Sequence, residues 1–296
     1  MNASAADAFA RLERWGWQRD WRGSDPYEAL NATRLAGPLQ RSVLGRRLLT
    51  HAVKRSPLDL RPLLGIRPER SAAVAALTAS AYAIQRILPE EETAAKLEAM
   101  LDTLHAARLE GHTGACWGYP FDVQTRVFFY PRGAPNTIAT AFAGFALLDA
   151  HARTGRADLL ELAEAAARFF VENVPQTEAD HGAYFGYLVG DRTPIHNANM
   201  LVAALLARVA AETGSQDLRN RAQAAVDYTV AHQRPDGSWP YGELAHLDWI
   251  DNFHTAYVLE SLDACRRSGL ERCGDALAAG LDYYATALFL PDGTPK

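Results

Sequence analysis

The chain has 296 residues, 48% hydrophobic and 22% charged, so it carries enough apolar material for a large core and reads as globular. A formal net charge of −5 gives no electrostatic reason to expect a nucleic-acid partner. Three sparse cysteines (Cys116, Cys265, Cys273) have no zinc-ligand spacing, the first residues lack the apolar centre of a signal peptide, and no stretch approaches the ~20 apolar residues of a membrane span. A soluble, cytoplasmic protein without a cofactor is the expectation.

Helices are predicted around Asp7 to Trp17 and Pro38 to Arg55, separated by the turn-rich aromatic stretch DWRGSDPYEALN. Residues 1–65 form a less regular lead-in, and Arg46, Arg47, Lys54 and Arg55 read as a solvated helix face. From Ser71 the chain becomes repetitive. SAAVAALTASAYAIQRI followed by EEETAAKLEAMLDTLHAAR is a first, weaker pair of helices. Three stronger pairs follow, opening with PNTIATAFAGFALLDAHARTG, IHNANMLVAALLARVAAETG and DNFHTAYVLESLDACRRSG, with turn glycines Gly155, Gly214 and Gly269. The repeat is about 55 to 60 residues long, the sign of stacked supersecondary units.

The two helices of each pair differ in kind. The first is apolar nearly all round and carries small residues, such as Ala139, Ala141, Ala143 and Gly144, so it must be covered on all sides. The second is amphipathic, with Leu159, Leu162, Ala163, Ala166 and Phe170 on one face and Glu161, Glu164 and Arg168 elsewhere. Apolar inner helices alternating with amphipathic outer ones predict a single all-α domain over 1–296. The expected architecture is an (α/α) toroid of helical hairpins, of the six-hairpin type, with about ten helices. An open solenoid is the alternative, though its concave helices would be more polar. The closing LPDGTPK repeats the Asp236-Gly237 turn at Asp292-Gly293, so the plan anticipates one further hairpin beyond the last residue.

YTVAHQRPDGSW, with Tyr228, Gln233, Gly237 and Trp239 at the defining places, resembles the QW motif of the terpenoid-cyclase and protein-prenyltransferase toroids. NFHTAYVLESL resembles the segment that carries a zinc-ligand histidine in the prenyltransferases, with His254 in that place. The matching stretch one repeat earlier, His196-Asn197-Ala198-Asn199, has no cysteine, and the acidic DxDD motif of the cyclases is represented only by Asp248-Trp249-Ile250-Asp251. A second resemblance covers nearly the whole chain. WRGSDPYEALN, DLRPLLGI, CWGYPFDVQTR, PNTIAT, IHNAN and WIDNFHTAYVLESL together resemble toroid proteins of bacterial polysaccharide-biosynthesis clusters. That resemblance implies a fold akin to sugar-active (α/α) barrels, including uronate epimerase and lyase-like proteins.

Alignment of the repeats on their turn glycines makes Thr140, Asn199 and His254 equivalent, and likewise Thr137, His196 and Asp251. Both positions fall at the N-terminal ends of the apolar helices, three residues apart and so on one face. Helix N-termini gathered there supply N–H groups and a partial positive potential suited to an anionic ligand such as a uronate or a sugar nucleotide. Candidate catalytic groups are His254, Asp251, His196, Tyr241, Asp122 and Glu243. Candidate substrate contacts are Trp117, Tyr119, Arg126, Tyr187, Asn197, Asn199, Trp239, Asp248, Trp249 and Asn252. Aromatic faces with interspersed carboxylates and amides match a sugar ring and its hydroxyls.

Three chemistries fit these residues. His254 or Tyr241 is a candidate base for proton abstraction next to a uronate carboxylate. Two of Asp122, Glu243, Asp248 and Asp251 would serve glycoside hydrolysis. A metal held by His196, His254 and Asp251 has no supporting ligand spacing. Asp251 or Asn252 is also expected to cap its helix, and Trp239 to close a joint between helices. An isoprenoid-active toroid and a non-catalytic glycan-binding scaffold are the competing readings. Convergence of His254, His196 and a carboxylate on one cavity would favour an enzyme.

Overall fold

The computed structural model describes residues 3–34 and 37–296. The chain divides into two compact units, Met1–Leu109 with Trp117–Pro135, and Glu110–Cys116 with Asn136–Lys296.

The first unit contains α1 (Ala3–Gln18), a 3₁₀ turn at Pro26–Asn31, α2 (Gly37–Gln40), α3 (Val43–Arg55), α4 (Arg61–Leu64), α5 (Ala72–Ile84) and α6 (Glu90–Ala106). Two short strands, β1 (Val123–Gln124) and β2 (Phe129–Tyr130), pair antiparallel. The helix expected from Pro38 to Arg55 is interrupted, because the Ser42 hydroxyl accepts the Gly45 amide at 3.0 Å and starts α3 afresh. Ala29, Leu30, Leu49, Val53, Leu64 and Ile66 form a buried cluster under the 3₁₀ turn. The basic run on α3 is only partly solvated. Arg46 lies over the Phe129 ring at 4.1 Å and donates to Gln124 Oε1 at 2.9 Å. Gln85 closes the α5–α6 turn, donating to Thr93 Oγ1 at 2.7 Å and accepting from the amides of Ile87 and Leu88.

The second unit holds the three strong repeats as the hairpins α7 (Thr137–Thr154) with α8 (Ala157–Asn173), α9 (His196–Thr213) with α10 (Gln216–Ala231), and α11 (Asn252–Arg267) with α12 (Cys273–Ala287). Helix α9 packs against both α7 and α11. It is buried at every position from His196 to Ala210 except Arg208, as an all-round apolar sequence demands. At Gly144 on α7 even a methyl group would press on Leu205 of α9, so the small residue sets how closely these two helices approach. Helix α8 buries the predicted face, from Leu159 to Phe170. Gly155 and Gly214 end α7 and α9 in the left-handed conformation.

Between α8 and α9 lies an antiparallel hairpin, β3 (Gln176–Ala179) with β4 (Gly182–Phe185), which the helical pattern of the sequence does not predict. Four-residue strands are too short to leave a clear period of two. The joints between hairpins share one device. Gly182 and Gly237, both at positive φ, press their backbone onto the following second helix, Gly182 against Ala224 of α10 and Gly237 against Ala279 of α12. Gln233 completes the second joint by donating to Gly237 O and Ala276 O, each at 2.9 Å. Among the described residues no helix is long and apolar enough to cross a membrane.

Candidate functional site

The loop of residues 232–251 connects α10 to α11, and part of it shapes a narrow cleft with the first turns of α9 and α11. His196, Asn197, Trp239, Tyr241, Asp251 and His254 line it, together with Trp249. Its free space is that of about one water molecule.

The geometry starts from a helix cap. Asp251 is the N-cap of α11, and its Oδ1 accepts the His254 amide at 2.8 Å. Three residues on, the His254 side chain returns to the same carboxylate, with Nδ1 2.7 Å from Asp251 Oδ2. A carboxylate only accepts, so Nδ1 carries the proton, and in the neutral ring Nε2 keeps its lone pair. The Trp249 indole N–H donates to Oδ2 as well, at 3.1 Å. Burial raises the Asp251 carboxyl, but the hydrogen bonds from the His254 side chain and amide and from Trp249 outweigh it, and the group is held below its ordinary value. Tyr241 meets the His254 ring edge-on at 4.5 Å and stacks on Trp249 at 4.4 Å. The imidazole is therefore fixed in tautomer and orientation. Its Nε2 has no hydrogen-bond partner among the described residues, and the side chain keeps 29% exposure, enough to reach a ligand.

His196 is the opposite case. It is buried, and its Nε2 donates to Glu243 Oε1 at 2.6 Å. Burial lowers its basicity, and the hydrogen bond from His196 holds Glu243 below the usual carboxylate range against the opposing effect of burial. The pair is a neutral imidazole donating to an ionised carboxylate. His196 Nδ1 faces Thr229 Oγ1 at 3.4 Å, so neither ring nitrogen remains open for base chemistry. Sequence reasoning missed the surroundings of this pair. Tyr228 stacks on His196 at 5.9 Å, and His232 Nε2 lies 3.9 Å from Glu243 Oε2. Their i, i+4 spacing across the C-terminal end of α10 was the available signal.

The remaining candidates separate clearly. Asn199 is fully buried and braces helices: its Oδ1 accepts from the Phe185 amide, and its Nδ2 donates to Ala225 O and Thr229 Oγ1. Trp239 is 2% exposed and donates to Thr229 O at 2.8 Å, so it is a joint residue at the cleft floor rather than a sugar platform. Asp248 pairs with Arg234. Tyr187 accepts from the Thr137 amide through its carbonyl, and Asn252 is the first residue of α11. In the first unit, Trp117 is fully buried, with its indole on Leu104 O at 2.7 Å, which makes it core. Tyr119 stacks on Phe121 at 5.8 Å, Asp122 accepts the Arg132 amide at 2.6 Å, and the Arg126 carbonyl accepts from Arg47. Among the described residues no group of three His, Cys, Asp or Glu side chains is placed to hold a metal ion.

No protein-family profile matches the sequence, and no curated protein matches it. Solved structures do match. A cellobiose 2-epimerase from Bacillus thermoamylovorans has a TM-score of 0.55 at 11% identity, over 78% of this chain and 66% of its own. A family 76 glycoside hydrolase (mannosidase) from Bacteroides thetaiotaomicron has a TM-score of 0.57 at 13% identity, over 79% and 65%. The fold is the (α/α) helical toroid. A polysaccharide lyase has a TM-score of 0.53 at 13% identity, over 99% of this chain and 86% of its own. The chain thus spans just under two thirds of the length of the first two structures. These structures are sugar-processing toroids, and a terpenoid-cyclase affiliation finds no counterpart among them.

Proposed function

We propose that the protein is a sugar-active enzyme of polysaccharide biosynthesis or modification that abstracts a carbon-bound proton, with His254 as the base. The observation that carries this reading is the His254 imidazole, which lines the cleft and whose Nδ1–H is held by Asp251 while Nε2 has no hydrogen-bond partner among the described residues. Nε2 takes the proton from a carbon next to a carbonyl or carboxyl group, and the C–H electron pair moves onto that group. The imidazolium so formed is stabilised by the Asp251 carboxylate 2.7 Å away. Delivery of a proton to the opposite face of that carbon completes an epimerisation, and loss of a leaving group from the neighbouring carbon completes a lyase reaction.

Glycoside hydrolysis fits these residues less well. It needs one carboxyl that is protonated near neutral pH. Asp251 and Glu243 are both held below their ordinary values by donated hydrogen bonds, and Asp248 is engaged with Arg234. The epimerase and lyase among the similar folds support proton transfer as the reaction class. Three free cysteines suit a reducing, cytoplasmic setting.

The test is solvent exchange. A panel of sugars and uronates incubated with the protein in D₂O is followed by proton NMR for loss of a C–H signal or appearance of an epimer or alkene. Exchange that disappears in His254→Ala with the fold retained is the expected result. A panel that binds and never exchanges would leave the glycan-binding scaffold as the better reading.

A further inference from the structure

The cleft beside His254 is lined by a residue with a buried acceptor that the protein leaves unmet. Asn197, in the first turn of α9, is 2% exposed, and its side-chain oxygen is buried without a hydrogen-bond partner. A buried acceptor left in this state costs about 1–3 kcal/mol, and a ligand that brings a donor to it recovers that stability. Among the other lining side chains, His254 and Asp251 bring acceptor atoms, the Nε2 lone pair and the carboxylate, and Tyr241 brings a hydroxyl. None of the lining residues is Lys or Arg. Arg234, whose charge acts on the neighbouring Glu243, is itself paired with Asp248. Asn136, whose side-chain amide also lacks a partner at the start of α7, is not among the lining residues.

We propose that this cleft is a socket for a single hydroxyl of an uncharged sugar, which donates to Asn197 Oδ1, and that it discriminates against uronates. The inference rests on the reading of His254 as a base acting on a sugar, and it replaces the anionic substrate expected from the sequence. The physical reasons are capacity and sign. Space for about one water admits a hydroxyl or the end of a hydroxymethyl group but not a ring. A carboxylate brought there would place two more acceptors against Asn197 Oδ1 and an ionised Asp251, with no cation lining the cleft to offset them. The helix N-termini that suggested an anion site are already answered at α11, where Asp251 accepts the His254 amide.

Binding to the intact protein, measured by calorimetry with mannose, glucose and cellobiose against mannuronate and glucuronate, tests this directly. The wild type should bind at least one neutral sugar about tenfold or more tighter than its uronate. Asn197→Ala should weaken that neutral sugar by about tenfold, and the deoxy sugar lacking the seated hydroxyl should bind wild type and variant alike. Tighter binding of a uronate, no binding of any neutral sugar in the panel, or affinity indifferent to Asn197→Ala would overturn the proposal. The wild-type comparison stands even if that variant fails to fold. The two readings separate through His254→Ala. If neutral sugars bind through Asn197 but no His254-dependent exchange occurs, the catalytic reading fails and the socket stands. If His254-dependent exchange occurs on a uronate in preference, the socket fails and the base stands.

Discussion

Glu28 offers a measurable consequence of burying a carboxyl without enough partners. The residue is 2% exposed in the first unit, beside the apolar cluster of Ala29, Leu30 and Leu49, and its Oε2 has no hydrogen-bond partner. Burial drives its pKa from 4.5 to about 7; a hydrogen bond from the Asp25 amide opposes this, while the charge of Asp25 adds to it. A rise of that size corresponds to on the order of 3 kcal/mol at about 1.4 kcal/mol per unit. The sign follows from proton binding. Between pH 4.5 and 7 the folded state holds a proton that the unfolded chain releases, so stability falls as pH rises through this window. Above it the full penalty of the buried charge is present, and below it there is none. Glu28→Gln keeps the shape and removes the charge, so it should be more stable than the wild type at pH 8 by up to about 3 kcal/mol. That advantage should vanish by pH 4.5. Urea unfolding followed by circular dichroism at half-unit pH steps gives the difference curve. Hydrogen exchange of the Pro26–Asn31 segment localises it. A difference between the two proteins that stays constant from pH 4.5 to 8 would refute the reasoning, because a constant offset reports packing and not ionisation.

Asp251→Asn should lower kcat/KM on any exchanged sugar by about 10²- to 10⁴-fold, since the amide would donate to Nδ1 and move the imidazole proton onto Nε2. Its unfolding free energy should change by no more than about 1 kcal/mol, because Asn also caps helices well. The stability that Asp251 supplies is present above the unfolded carboxyl value of 3.8 and is lost as pH falls through the depressed folded value, which acid titration of wild type against Asp251→Asn would show. Gly237→Ala should destabilise by about 2 kcal/mol or more, because φ is +89° and the new methyl would collide with Ala279 O. Gly274→Ala, where a methyl group meets nothing within 4 Å, should be neutral or slightly stabilising, and equal losses in the two denaturation curves would contradict the joint described above. Trp239→Phe should lose about 1–3 kcal/mol by leaving Thr229 O buried without its indole donor, as read from the shift in the urea midpoint.

The repeat was legible because helical hairpins impose a periodic apolar pattern and end in left-handed glycines, both local properties of the chain. Gly155 and Gly214 mark the ends of α7 and α9 in the structure as they do in the sequence. The brace at Gln233, Gly237 and Trp239 was legible for the same reason. The pairing of Asp251 with His254 was within reach too, since a cap and a residue three positions later meet on any helix N-terminus. The strands β3 and β4 left no comparable trace, and the break at Ser42 lay inside a continuous helical pattern.

The roles of the polar residues were a different matter. His196 and His254 sit at the starts of two apolar helices in the same kind of sequence, yet one has both ring nitrogens engaged by Glu243 and Thr229 and the other keeps Nε2 open. Asn197 and Asn199 are two positions apart, yet Asn199 satisfies every polar atom of its side chain on α10 and β4 while the Asn197 oxygen is buried without a partner. By itself the sequence determined the helices, their pairing and the end of each hairpin from which polar side chains emerge, because those follow from periodicity and capping within some twenty residues. Only the tertiary structure decided which of those side chains brace the fold and which remain open to a ligand. That outcome depends on hydrogen-bond partners supplied from residues such as Thr229 and Glu243, more than thirty positions away along the chain from His196.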